Sequence, residues 1–117
     1  PHSEEEKESG FENAPFGVIG FETALSLGME LQKKGLTVNQ VVALFTTGPA
    51  RVLGMDRGVL KEGKTANITV FDPNIEWFYR KEDILSKSKN SPFIGRKMKG
   101  RVVTTIYKGR LVFPLQG

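Results

Sequence analysis

Cysteine is absent and histidine occurs once, as His2. The first absence excludes a disulfide scaffold, a thiolate metal site and a cysteine nucleophile, and it fits a reducing compartment such as the cytoplasm. The second limits metal chemistry, because a zinc site needs three or four ligands in a tight shell. His2 with Glu4, Glu5 and Glu6 makes a weak site at best, since neighbouring carboxylates in a loop are usually solvated. No spacing around His2 and Ser3 supports a Ser-His-Asp arrangement. No apolar run approaches the roughly 18 residues of a membrane span, and no basic-then-apolar leader is present. Gly58 and Gly63 lie in turn contexts without the G-x-x-x-x-G-K-[ST] pattern of a phosphate loop. Internal repeats and low-complexity segments are missing too.

What is present suits one domain or a domain with an appendage. The chain has 117 residues, 38% of them hydrophobic, with eight Phe, two Tyr and one Trp for the bulk of a modest core. A chain of this size buries a limited fraction of its surface, so a ligand, a partner or further chain would matter to its stability. The net charge is +4, unevenly spread. Glu4, Glu5, Glu6 and Glu8 make the start acidic. Between Arg80 and Arg110 stand ten basic residues against Glu82 and Asp83. Such a stretch attracts polyanions, or it is a solvated basic face.

Residues 1–18 read as a loop, charged and without a sustained period. Residues 19–34 read as a helix, with Ile19, Ala24, Leu27 and Leu31 on one face and Phe21, Leu25 and Met29 beside it. Lys33 and Lys34 suit its last turn and Gly35 its stop. Thr37 and Gln40 have capping-box form, predicting a helix over 38–46 with Val38, Val41, Val42 and Phe45 as its apolar stripe. Pro49 suits the first residue of a further turn ending at Leu53, before Gly54. After Gly54 the pattern changes to short extended runs. Ile68–Phe71 is closed by Asp72-Pro73-Asn74 as a turn, and Ile75–Tyr79 is aromatic-rich. Val102–Tyr107 and Leu111–Phe113 flank Lys108-Gly109 as a hairpin, with Gly109 taking the positive backbone angle.

Four or five short strands leave open edges and too little sheet to close on itself, so further strands are expected from elsewhere in the polypeptide or from a second copy. Trp77, Phe78 and Tyr79 beside Arg80 and Lys81 are either core or a platform for stacking bases. Residue chemistry alone therefore gives an α+β segment with a basic C-terminal half, and no function.

Three stretches together resemble the end of a class I dihydroorotase of the amidohydrolase superfamily. Pro1-His2-Ser3-Glu4-Glu5-Glu6-Lys7 is similar to the end of that family's Asp-His-Ala-Pro-His loop and its acidic continuation. Glu12-Asn13-Ala14-Pro15-Phe16-Gly17, running on through Phe21-Glu22-Thr23-Ala24-Leu25, resembles its Ala-Pro-Phe-Gly turn and the following Gly-Leu-Glu-Thr-Ala helix start. Ser86-Lys87-Ser88-Lys89-Asn90-Ser91-Pro92-Phe93-Ile94-Gly95, followed by Lys99-Gly100-Arg101-Val102, resembles a signature close to the C-terminus. Order and spacing agree over essentially the whole chain. Allantoinase-like and hydantoinase-like enzymes typically carry another residue where His2 stands. Two departures are structural in character: Ala66-Asn67 replaces the common Ala-Asp, and Gly48-Pro49-Ala50 replaces Asn-Pro-Ala.

The resemblance implies an α/β fold class. Residues 1–54 would be a terminal loop and the C-terminal helices of an amidohydrolase (β/α)8 barrel. Residues 55–117 would be part of a small β-sandwich domain with a C-terminal tail. It implies a zinc-dependent cyclic amidohydrolase of pyrimidine biosynthesis that interconverts dihydroorotate and N-carbamoyl-aspartate in the cytoplasm. The proton-shuttling aspartate would lie three residues before Pro1, with the metal-binding histidines further upstream. This segment would then hold neither catalytic nor metal residues and would be inactive alone. His2 matches the histidine that contacts the substrate carboxylate, and Pro15, Phe16 and Gly17 match the turn whose backbone borders the pyrimidine ring. Implied partners are the missing N-terminal part of the enzyme and a second copy or an aspartate transcarbamoylase, with no membrane. Two alternatives stand beside this: a nucleic-acid-binding module using residues 80–110, and a catalytically inactive dihydroorotase-like assembly domain.

Overall fold

A computed structural model describes residues 2–114; Pro1, the first residue of the histidine motif, and tail residues 115–117 lie outside it. The segment expected as loop carries a short helix, α1 (Glu4–Glu8). Its cause is a capping box. The Glu6 N–H donates to Ser3 Oγ at 3.2 Å and the Ser3 N–H donates to Glu6 Oε2 at 2.7 Å. Three glutamates in its first turn also suit the positive end of the helix dipole. Five residues are too few for a helix to persist alone. Lys81 therefore matters, reaching Glu4 at 3.3 Å from across the chain.

Helix α2 (Phe21–Met29) starts two residues later than the periodicity predicts and passes into a 3₁₀ turn over Glu30–Lys34, ended by Gly35 at φ 94°. Ile19 is held extended because its N–H donates to the Asn90 carbonyl at 3.0 Å. The buried face also differs from the expected stripe. Thr23, Ser26 and Met29 are buried, whereas Phe21 is fully exposed. The reason is close approach to the sheet: the Ser26 hydroxyl donates to the Gly100 carbonyl at 2.6 Å, a contact that only a small side chain permits.

Helix α3 (Val38–Phe45) opens on the Thr37–Gln40 capping box as predicted and buries Val41 completely. Phe45 of the predicted stripe is half exposed. Helix α4 (Thr47–Val52) begins before Pro49. The proline still falls within the first turn, where a missing N–H breaks no helical bond.

Among the described residues all strands follow Gly54. The sheet has order β1-β2-β3 and is antiparallel, with β1 Ile68–Phe78, β2 Lys97–Tyr107 and β3 Arg110–Phe113. Asp72-Pro73-Asn74 does not end a strand. The Asn74 N–H donates to Asp72 Oδ1 at 2.7 Å, the expected turn chemistry, but the result is a bulge inside one continuous strand. Strand β2 likewise starts at Lys97, earlier than the β-type run at Val102. In the β2–β3 hairpin both Lys108 and Gly109 take positive φ, 49° and 76°. This is the twist-matched two-residue turn. The Asn67 side-chain oxygen accepts from the Lys108 N–H at 2.9 Å, so the Ala66-Asn67 departure leaves that acceptor in place.

The core lies between α2, the sheet and the segment that joins β1 to β2. Tyr79, Ile84 and Met98 form it, flanked by Ile19, Leu27, Trp77 and Phe93. Tyr79 is 1% exposed, and Trp77 meets it edge to face at 5.9 Å. The aromatic run therefore supplies core at Tyr79. No helix among the described residues is long and apolar enough to cross a membrane. Val52, Leu53 and Leu60 stay largely exposed, as does Phe21.

Candidate functional site

One open cleft of about 700 Å³ collects most of the residues singled out above. His2, Phe16 and Gly17 line it together with Lys7, Phe21, Glu22 and Tyr79. Pro15 lies beside the cleft lining and joins it through its carbonyl, which accepts from Lys7 Nζ. His2 stands one turn from Glu6, Nδ1 to Oε2 3.8 Å, with its side chain half exposed. Phe16 is 97% exposed, so its ring presents apolar surface outward and does not pack on the protein.

Three polar braces hold this region, and all escaped the sequence reading. Lys7 donates from Nζ to the Pro15 carbonyl and to the Gly17 carbonyl, the latter at 2.8 Å. Asn90 donates from Nδ2 to the same Gly17 carbonyl at 2.8 Å. The Glu22 carboxylate accepts from the Leu85 and Ser86 N–H groups, at 3.2 and 3.0 Å from Oε1. Lys7 lay inside a quoted motif, but a lysine in an acidic run reads as a solvated charge. Glu22 and Asn90 also lay inside the resembling stretches, but their partners are distant in sequence, so no local pattern points to their bonds. Burial raises the Tyr79 phenol above its ordinary range. The nearby Glu22 carboxylate pushes in the same direction, and a hydrogen bond with Ser91 opposes both.

Several residues of the basic stretch are engaged by internal partners. Arg96 Nη2 donates to both oxygens of Glu30, at 2.7 and 2.9 Å. Lys97 pairs with Glu76 at 2.7 Å, holding that carboxyl below its ordinary range through hydrogen bond and charge. Lys89 caps the Ile84 carbonyl. The Arg101 guanidinium covers the Trp77 ring at 5.2 Å, and the indole N–H is spent on the Gly100 carbonyl at 3.0 Å. Trp77 is therefore no free stacking platform, and the nucleic-acid alternative is not favoured.

Among the described residues no three His, Cys, Asp or Glu side chains converge closely enough to hold a metal ion. The donor set here does not fit the zinc that the resemblance implies.

Comparison with known proteins agrees with the fold and the motifs. Residues 12–112 match the amidohydrolase family, and the chain belongs to it. Within that family it is similar to dihydroorotases. It is 50% identical over 116 residues to the dihydroorotase of Endomicrobium trichonymphae, and 47% identical over 114 residues to that of Citrifermentans bemidjiense. Each match takes in 97% of this chain but only 28% and 27% of those proteins, so the chain spans little more than a quarter of the length of the dihydroorotases it matches. Among solved structures, L-hydantoinase (dihydropyrimidinase) from Arthrobacter aurescens superposes with a TM-score of 0.77 at 30% identity, over 92% of this chain and 26% of that one. D-hydantoinase from Bacillus sp. AR9 gives 0.83 at 24% identity over 96% of this chain and 26% of that one, a likeness of fold alone.

Proposed function

We propose that this chain is the C-terminal segment of a dihydroorotase and forms the substrate-side wall of its active site. On this reading residues 1–54 end a (β/α)8 barrel and residues 55–117 are one part of a β-sandwich. The cytoplasmic enzyme interconverts dihydroorotate and N-carbamoyl-aspartate, and its zinc ligands come from another part of the polypeptide. The open sheet edges and exposed Val52, Leu53 and Leu60 would be covered by that part, by a second copy or by an aspartate transcarbamoylase.

The observation that supports this most is the shared cleft of His2, Phe16 and Gly17. Dihydroorotate is a small cyclic amide with a carboxylate outside the reacting bond. A cleft offering an imidazole N–H at one side and a backbone turn at the other has the complementarity to fix both features. His2 is the group suited to the carboxylate, because Ser3 is shorter and Glu4–Glu6 repel an anion. Pro15–Gly17 border the ring.

The test is His2→Ala in the full-length enzyme, with steady-state kinetics and metal analysis. Loss of one hydrogen bond to a charged group should lower kcat/KM roughly ten- to a hundred-fold, mainly through KM. Metal content should equal that of the parent. Unchanged kinetics would return His2 to a surface role, and lost metal would make it a ligand.

A further inference from the structure

We infer that Lys7 and Asn90 are positioning residues that aim the backbone N–H groups of Phe16 and Val18 at the bound substrate; this rests on the substrate-wall reading above. In a trans peptide the carbonyl and the following N–H point in opposite directions. The Pro15 and Gly17 carbonyls both turn to the Lys7 ammonium, and the Gly17 carbonyl also takes the Asn90 amide. The N–H groups of Phe16 and Val18 must therefore face away from Lys7. No backbone carbonyl among the described residues accepts from either one. Phe16 and Val18 both line the cleft. Two tethered carbonyls thus leave two unspent donors on one side of the turn, a pattern suited to the carbonyl or carboxylate oxygens of a cyclic amide.

Alternative explanations for Lys7 are weaker. The residue is half-buried, and both of its bonds go to the turn and not to the adjoining glutamates. Two carbonyls with no helix or sheet of their own give the ammonium an anchor at a backbone that is otherwise exposed. Gly17 takes φ 100°, a conformation accessible to glycine but needing support to persist. Helix α1 also links the two halves of the wall. Lys7 sits one turn from Ser3, with its N–H on the Ser3 carbonyl at 3.2 Å, so the same brace fixes His2 relative to the turn.

The experiment uses full-length enzyme carrying Lys7→Met, Lys7→Arg, Asn90→Ala and the Lys7→Met/Asn90→Ala pair. Steady-state kinetics with dihydroorotate, metal content and amide hydrogen exchange over Phe16–Val18 are measured. Lys7→Met should raise KM roughly tenfold, with a smaller change in kcat. With the equilibrium dihydroorotate mixture bound, protection of the Phe16 and Val18 amides should weaken relative to the parent while metal content holds. Lys7→Arg should restore most of the loss, because a guanidinium also donates to two carbonyls. The double variant should lose less than the product of the single effects, since both donors serve one carbonyl. A parent-like KM in Lys7→Met overturns the proposal. So does a quickening of exchange across the whole chain that Lys7→Arg does not rescue, which marks a merely structural lysine. His2→Ala separates the two levels. If it raises KM and Lys7→Met does not, the brace alone falls. If neither moves KM, the substrate wall and the brace fall together.

Discussion

Replacing Gly100 with alanine tests the seam on which helix and sheet are joined. Gly100 lies opposite the β1 bulge, between Arg101 paired with Asp72 and Lys99 paired with Glu76. Its φ is +88°, and an added Cβ would stand 3.2 Å from Met29 Cγ and 3.9 Å from Pro73 Cα. Its carbonyl accepts from Ser26 Oγ and from the Trp77 indole. The backbone cost of an L-residue at this angle is roughly 1–2 kcal/mol. Crowding Met29 and shifting two hydrogen bonds adds about 1–2 kcal/mol, within the range for overpacked sites. Gly109 supplies the control, with φ +76° and nothing within 4 Å of its would-be Cβ. Gly109→Ala should carry the backbone cost alone. Urea unfolding of the chain, followed by Trp77 fluorescence, reads the difference at the seam itself, since Trp77 is the sole tryptophan. The expected order is Gly100→Ala below Gly109→Ala by at least about 1 kcal/mol. Equal stabilities for the two variants would refute the reasoning, because backbone strain would then account for everything.

Tyr79 sets an alkaline limit. Its folded pKa is raised, so its protonated form contributes stability that is complete below the unfolded value of about 10 and is lost as pH rises through the folded value. Stability measured from pH 8 to 11 should fall at the upper end, and Tyr79→Phe should flatten that fall; an unchanged slope would remove Tyr79 as its source. The committed basic residues predict weak nucleic-acid binding, with a Kd above about 10⁻⁶ M for duplex or single-stranded DNA at physiological salt. Tight binding with a steep salt slope would restore the base-stacking reading. The 117 residues alone should take up no stoichiometric zinc in equilibrium dialysis and should not hydrolyse dihydroorotate. Zinc at one equivalent together with turnover would show that ligands had been overlooked.

Local chemistry was legible where its partners are near in sequence. The Thr37–Gln40 box, the stop at Gly35, the Lys108-Gly109 hairpin and the confinement of strands to the region after Gly54 all follow from contacts within a few residues. The same logic extends to α1: Ser3 and Glu6 carry the box that loop-like composition obscured. The Asp72–Asn74 turn was right in its hydrogen bond and wrong in its consequence. Whether such a turn reverses a chain or bulges a strand depends on whether a partner strand continues alongside, and here β2 does from Lys97.

The candidate site divides in the same way. Residue types and order were enough to single out His2 and Pro15–Gly17 by resemblance and to place the chain among the amidohydrolases. Residue order could not show that His2, Phe16 and Gly17 open on one cleft, nor that Lys7, Asn90 and Glu22 hold it. Hydrophobic periodicity marks Ile19, Ala24, Leu27 and Leu31 as the buried face, yet Thr23, Ser26 and Met29 are the buried positions of α2, because the helix lies close enough to the sheet for the Ser26 hydroxyl to donate to the Gly100 carbonyl. Sequence alone fixed what short-range backbone hydrogen bonding and chain composition can fix: elements, caps, a lack of thiolate ligands and a family motif. Tertiary structure decided which polar side chains reach across more than sixty residues, as Glu22 does to Leu85 and Ser86, since such a contact depends on packing that no local pattern encodes.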